Sequence, residues 1–182
     1  MNSQCDATNS SIVLIGFMGS GKSSIGKRLA RYLKFNYIDT DHCIEEKIER
    51  SISEFIQKDG EEKFRILESE VLKNLLGKEK LVLATGGGII LDPNNHRPLR
   101  QLGTIIWLHA STDKLFERAQ RQSSRPLLEV EHPRHTFNLL LEERLSTYEK
   151  LSQIKIDTTH LSYEQTLEAM IKALRNFKIE LT

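Results

Sequence analysis

The stretch Gly16-Phe17-Met18-Gly19-Ser20-Gly21-Lys22-Ser23 decides how this chain is read, because it carries the pattern G-x-x-x-x-G-K-[ST] between two differently patterned segments. Before it, residues 11–15, apolar from Ile12 onward, read as a buried strand. After it, Ile25, Leu29, Tyr32 and Leu33 recur at helical spacing. Strand, glycine loop and helix is the order the motif's chemistry needs. Glycines let backbone N–H groups curl around an anion without Cβ clashes, and the following helix points its partially positive end at the same phosphates. Lys22 is then placed to reach the β and γ phosphates, and the Ser23 hydroxyl to ligate Mg²⁺. A glycine-rich turn that merely joins strand to helix is the competing reading, and the agreement of pattern with context disfavours it.

Outward from this loop, composition bounds the rest. With 182 residues, of which 38% are hydrophobic, the chain can bury one full core and is too short for two ordinary domains. Residues 1–10 are polar and aperiodic and are expected to be a disordered tail, leaving 11–182 as a single domain. Lys and Arg number 26 against 25 Asp and Glu, a net charge of +1, so no basic field argues for nucleic acid or an acidic membrane as partner. The two cysteines, Cys5 and Cys43, form neither a disulfide framework nor a metal spacing, which fits a reducing, cytoplasmic compartment. The apolar run over residues 12–18 is broken by Gly16 and lacks a basic region before it, so it reads neither as a signal peptide nor as a membrane span.

Further strands are expected over residues 37–39, 81–85, 104–108 and 154–157, and further helices over 40–50, from about 61 to 75, and over 113–122, 137–148 and 163–177. Strands alternating with helices imply an α/β protein, a parallel sheet covered on both faces in three layers.

A phosphate loop serves many chemistries, so the remaining unusual segments must name the reaction. Asp39-Thr40-Asp41 ends the second strand, where a parallel sheet opens its ligand crevice. Read as extended, it puts both carboxylates on one side, one to hold Mg²⁺ through water and one to accept substrate hydroxyls. The bland alternative is that Asp41 only caps the next helix. Arg65 and Glu68 stand three apart on one helical face, so Glu68 can orient a guanidinium whose free edge grips a carboxylate or phosphate. On spacing alone, an exposed surface pair is the simpler reading. Gly86-Gly87-Gly88 after a strand suggests close backbone approach to a ligand. Residues 118–135 are charged, proline-punctuated and weakly periodic, which suggests a mobile lid over about 122–135 able to carry Arg125 onto a transferring phosphate. His132 and His135 lack a third ligand and read as surface residues.

In order and spacing these segments, together with Arg144 and Tyr148, resemble the shikimate kinase family from Ile12 to about Leu174. The resemblance implies a phosphate-loop kinase fold like that of nucleoside monophosphate kinases, with a five-stranded parallel sheet of order 2-3-1-4-5. It implies transfer of the ATP γ-phosphoryl group to the 3-hydroxyl of shikimate, a step in chorismate and aromatic amino-acid biosynthesis. By the same resemblance, Gly19, Ser20, Gly21, Lys22, Ser23 and Ser24 cradle the nucleotide and Arg118 packs on adenine. Arg65, Arg144 and Gly86, Gly87 and Gly88 hold shikimate, Asp41 takes its hydroxyl, Ser23 and Asp39 form the magnesium shell, and Arg125 is the lid arginine. Lys22, Asp41 and Arg125 become the catalytic set, in an expected monomer.

The chain departs from the family pattern in two places. Ile56 stands where members commonly place Phe, with Phe55 one step earlier, and Thr158-Thr159-His160-Leu161-Ser162 lacks the arginine or proline often found around adenine. The chemistry is coherent nonetheless. Shikimate has one carboxylate and three hydroxyls, so its site needs cationic donors at one end, Arg65 and Arg144, and a carboxylate acceptor at the other, Asp41. Phosphoryl transfer asks mainly for in-line positioning and charge neutralisation, the work of Lys22, Mg²⁺ and Arg125; a loose transition state needs little base help from Asp41. Two alternatives stay open: another small-molecule kinase such as a gluconate kinase, and a nucleotide-binding regulatory relative that has lost catalysis.

Overall fold

All four residues of strand β1, Ile12–Ile15, are buried, because the strand lies in the middle of the sheet with helices on both sides. The computed structural model describes residues 11–121 and 130–177. The phosphate loop follows β1 and leads into helix α1 (Lys22–Leu33). Then come β2 (Asn36–Asp39), the helices α2 (Thr40–Ile48), α3 (Ile52–Asp59) and α4 (Glu61–Leu75), and β3 (Leu81–Ala84). Two 3₁₀ turns, Ile89–Leu91 and Pro93–Asn95, precede α5 (His96–Leu102) and β4 (Thr104–His109). The chain continues through α6 (Thr112–Gln120), α7 (Pro133–Leu151), β5 (Ile154–Asp157) and α8 (Tyr163–Asn176).

The five strands pair in parallel in the order β2-β3-β1-β4-β5, as expected. Alternation along β1 divides the core. Ile12 and Leu14 face α1 and α8 with Ile25, Leu29, Met170 and Leu174, whereas Val13 and Ile15 face the other layer with Phe64, Leu72, Trp107 and Phe137. Because β3 and β4 flank β1 on opposite sides and their connections leave in opposite directions, a crevice opens beyond the carboxyl end of β1. Among the described residues, the phosphate loop after β1, the Asp39-Thr40-Asp41 segment at the end of β2 and the glycine turn after β3 emerge at that end.

The structure departs from the sequence reading in four local ways. Tyr32 is 50% exposed, so α1 buries Ile25, Leu29 and Leu33 without it. Residues 52–59 form α3, which starts with a reciprocal box: Glu54 N–H donates to Ser51 Oγ at 3.2 Å and Ser51 N–H donates to Glu54 Oε2 at 3.1 Å. Residues 96–102 form α5 where none was expected. Helix α7 begins at Pro133, with proline in its first turn, so residues 133–135, expected in the lid, are its first residues.

Candidate active site

At the carboxyl end of β1, Gly19 and Gly21 take φ of 78° and 88°, conformations that side chains disfavour, and Gly21 is the N-cap residue of α1. No side chain caps that helix, so its first N–H groups point into the loop, the arrangement of an anion site. Lys22 Nζ arches over the same loop and donates to Gly16 O at 2.7 Å and Phe17 O at 3.2 Å.

Asp39 and Asp41 are arranged differently from the extended reading. Asp39 ends β2 and caps α2, accepting the Asp41 N–H at 3.2 Å, while Asp41 lies in the first helical turn. The capping role therefore belongs to Asp39. Its Oδ2 also accepts the hydroxyls of Ser23 at 2.8 Å and Tyr37 at 2.9 Å. Burial, reinforced by the Asp39 charge, pushes the Tyr37 pKa up, so this hydroxyl keeps its proton and acts as donor.

Register explains how Asp41 meets the glycine turn. Asp39 pairs with Ala84 across β2 and β3, so the segments that follow leave the sheet side by side. Buried Thr40 accepts the Gly86 N–H at 2.8 Å and fastens them together. The three glycines are then packed on three functional side chains in turn. A Cβ on Gly86 would lie 2.4 Å from Asp41 Oδ1, and one on Gly88 would lie 2.4 Å from Arg65 Nη1. The Gly87 carbonyl accepts from Arg144 Nη1 at 3.4 Å and from the Tyr148 hydroxyl at 2.7 Å. None of the three has positive φ, so what they supply is the missing side chain rather than an unusual backbone.

Arg65 is anchored, not a surface residue. Its Nη1 donates to Glu68 Oε2 at 2.6 Å and its Nη2 to Glu61 Oε1 at 2.5 Å. Burial works against the Arg65 charge, yet Glu68 and Glu61 more than offset it and leave its pKa above the ordinary value. Glu68 is 1% exposed, and burial pushes its pKa up to about 7 although Arg65 pulls the other way. Arg144, 6% exposed, comes from α7 with its guanidinium 5.3 Å from the centre of the Phe17 ring, and its Nε has no hydrogen-bond partner among the described residues.

One cleft of about 980 Å³ joins these parts. Gly19, Ser20, Gly21, Lys22, Ser23, Ser24, Asp39, Asp41, Arg65, Gly86, Gly87, Gly88, Arg118 and Arg144 all line it. Arg118 is held at the rim by Thr158, donating to its hydroxyl at 3.0 Å and its carbonyl at 2.8 Å. Arg125 lies outside the described residues. Ile56 lines the cleft and Phe55 is buried behind it, beneath the Arg50 guanidinium. His132 precedes α7 and His135 lies in its first turns, and among the described residues no group of three or more metal-type side chains occurs.

Sequence reasoning missed Thr40, Tyr37 and Glu61 as parts of the site. Tyr37 had a legible signal, since it stands two residues before Asp39 on one strand face. Thr40 had none, because its partner depends on register between strands far apart in sequence.

A family model described as "Shikimate kinase" matches residues 18–175. The chain belongs to the shikimate kinase family. Family members are ATP-dependent kinases. A shikimate kinase from Thermodesulfovibrio yellowstonii is 44% identical over 161 residues, 88% of this chain and 92% of that protein. A structure of the shikimate kinase from Acinetobacter baumannii in complex with shikimate is 33% identical, with a TM-score of 0.89 over 96% of this chain and 97% of that one. A gluconokinase structure from Sinorhizobium meliloti, 18% identical with a TM-score of 0.55 over 92% of this chain and 94% of that one, shares the fold alone. The gluconate reading is thereby set aside in favour of shikimate kinase.

Proposed function

We propose that this chain transfers the γ-phosphoryl group of ATP to the 3-hydroxyl of shikimate. One observation carries the reading: Asp41, Arg144 and Arg65 are set against Gly86, Gly87 and Gly88 in that order, next to the phosphate loop. A carboxylate acceptor at one end of a side-chain-free turn and two guanidinium groups toward the other match a small ring bearing hydroxyls and one carboxylate. Three absent side chains leave room for that ring against the backbone.

In this reading Arg65 and Arg144 grip the substrate carboxylate, and Glu68 keeps Arg65 oriented so that little side-chain entropy is lost on binding. Asp41 accepts the reacting hydroxyl and holds its oxygen toward the phosphate loop. Lys22 exchanges the loop carbonyls for phosphate oxygens, and the first N–H groups of α1 add donors that need no reorganisation. Positioning and charge neutralisation are the main requirements of phosphoryl transfer. Arg118 takes the adenine end of the cleft.

The donor set at Ser23 and Asp39, two hard oxygens 2.8 Å apart beside the loop, suits Mg²⁺ arriving with nucleotide phosphates. Bound there, Mg²⁺ supplies charge neutralisation at the phosphates. The proposed working form is a monomer, since one chain supplies the whole described cleft, in a cytoplasmic setting that keeps Cys43 a free thiol.

The test is ADP formation from ATP and Mg²⁺ with shikimate, gluconate or a nucleoside monophosphate as acceptor. Shikimate-dependent turnover is expected. Turnover with another acceptor and none with shikimate would overturn the assignment, and nucleotide binding without turnover on any acceptor would point to a regulatory relative.

A further inference from the structure

Tyr37 and Asp39 share one face of β2, and that face looks onto α1. The Tyr37 ring lies flat enough against the helix that a Cβ on Gly26 would sit 2.9 Å from its Cε2, and Lys27 Nζ is 5.7 Å from the ring centre. Held there, the Tyr37 hydroxyl donates to Asp39 Oδ2 at 2.9 Å, the oxygen that also accepts Ser23 at 2.8 Å. Asp39 Oδ1 accepts the Asp41 N–H at 3.2 Å. Three donors on two oxygens mean that the carboxylate cannot turn about its terminal bond without losing hydrogen bonds. Ser23, whose O–H donates to Asp39, keeps its lone pairs for a cation.

We propose that Tyr37 is a positioning residue whose hydroxyl fixes the Asp39 carboxylate, so that Ser23 and Asp39 meet a nucleotide-bound divalent cation as a preset pair. This rests on the reading of Ser23 and Asp39 as the Mg²⁺ shell. A phenylalanine would fill the same space between β2 and α1, so the hydroxyl is explained by Asp39 and not by packing. Groups that orient metal ligands typically change metal affinity or activity by about 10–100-fold when removed. Ser23 and the Asp41 N–H remain in Tyr37→Phe, so the lower end of that range applies.

The experiment measures ATP affinity calorimetrically, without shikimate, in Mg²⁺ and in EDTA, for wild type and Tyr37→Phe, with thermal melts as a folding check. Tyr37→Phe is expected to leave the affinity in EDTA unchanged and to cut the metal-linked gain in affinity roughly tenfold. The Mg²⁺ concentration for half-maximal turnover should rise in parallel while the KM for shikimate stays put. An undiminished metal-linked gain in Tyr37→Phe, or an equal loss in Mg²⁺ and EDTA, would reduce Tyr37 to a packing residue and overturn the inference alone. A wild-type protein whose ATP affinity ignores Mg²⁺ would overturn the cation reading along with it.

Discussion

Arg65 Nη1 lies 2.6 Å from Glu68 Oε2, and the Glu68 side chain is 1% exposed, so the guanidinium is anchored by a carboxylate that water hardly reaches. The pair sits where the proposed substrate carboxylate must be bound. Removing one partner from such a site costs more than removing a surface ion pair, because the other is left buried and charged.

Titration of Glu68 follows from that burial. Its pKa rises from the ordinary 4.5 to about 7, so between those values the folded chain holds a proton that the unfolded chain has released. The group's contribution to stability therefore falls as pH rises from about 4.5 to about 7 and is flat above. Glu68→Gln has no such titration. Denaturant midpoints for wild type and variant from pH 5 to 8 should show the wild type losing more stability than the variant up to about pH 7 and running parallel to it beyond. Parallel curves across the whole range would mean that Glu68 is ionised throughout.

The two arginines should matter for one ligand only. Arg65→Ala or Arg144→Ala each removes a charge-assisted contact of about 1.5–3 kcal/mol, a loss of roughly tenfold to a hundredfold in shikimate affinity with ATP affinity nearly unchanged. Glu61 is 64% exposed, so Glu61→Gln should change either affinity little. Titrations with each ligand separately check this. Equal weakening toward both would indicate that the arginines only support the fold.

The sheet was legible because β1, β3 and residues 105–108 of β4 are unbroken apolar runs, and the phosphate loop because its pattern is contiguous. Order in the sheet was not legible from pattern alone; it came from family resemblance. What stayed hidden is contact made by register and burial. Nothing in Arg65-Ile66-Leu67-Glu68 separates a buried anchor from a surface pair, because the difference lies in Asp41 and Gly86, which close over Glu68 from the start of α2 and from the turn after β3. Likewise Asp41 read as extended, although Asp39 caps α2 and puts it in a helix. The α3 start was readable as Ser51-x-x-Glu54 and was overlooked because the helix has eight residues and one buried side chain.

Two glycines separate function from stability. On Gly88 an added Cβ meets the Arg65 guanidinium at 2.4 Å, the far end of a flexible side chain, whereas on Gly103 it meets the Ser11 backbone oxygen at 2.1 Å. Gly88→Ala should displace Arg65 and raise the KM for shikimate about tenfold or more, with a smaller fall in melting temperature than Gly103→Ala because the Arg65 side chain can shift. Gly103→Ala should lower the melting temperature and leave the KM of the surviving enzyme unaltered. Overpacking of this kind costs about 1–3 kcal/mol. Kinetics and thermal melts on both variants check the split.

Lys22 reaches over the phosphate loop without entering either apolar cluster. Lys22→Ala should therefore abolish turnover while the chain stays folded, and chelation of Mg²⁺ should do the same reversibly. Wild-type-like turnover in a folded Lys22→Ala variant would sink the nucleotide-site reading.

Thr40 ties the two ends of the substrate pocket together. Its hydroxyl accepts the Gly86 N–H at 2.8 Å, so the turn that borders Arg65 is fastened to the segment that carries Asp41. Thr40→Val keeps the shape and removes the acceptor, leaving a buried N–H unsatisfied at a cost of about 1–3 kcal/mol. Stability should fall by that amount, and shikimate affinity should fall with it, because the glycine turn loses its fixed distance from Asp41. Thr40→Ser retains the hydroxyl and should restore affinity even where the lost methyl leaves some stability missing. Chemical denaturation paired with shikimate titration of both variants distinguishes the two effects. Loss of affinity in Thr40→Ser as large as in Thr40→Val would assign the contribution to the methyl group's packing and not to the hydrogen bond that sets the width of the pocket.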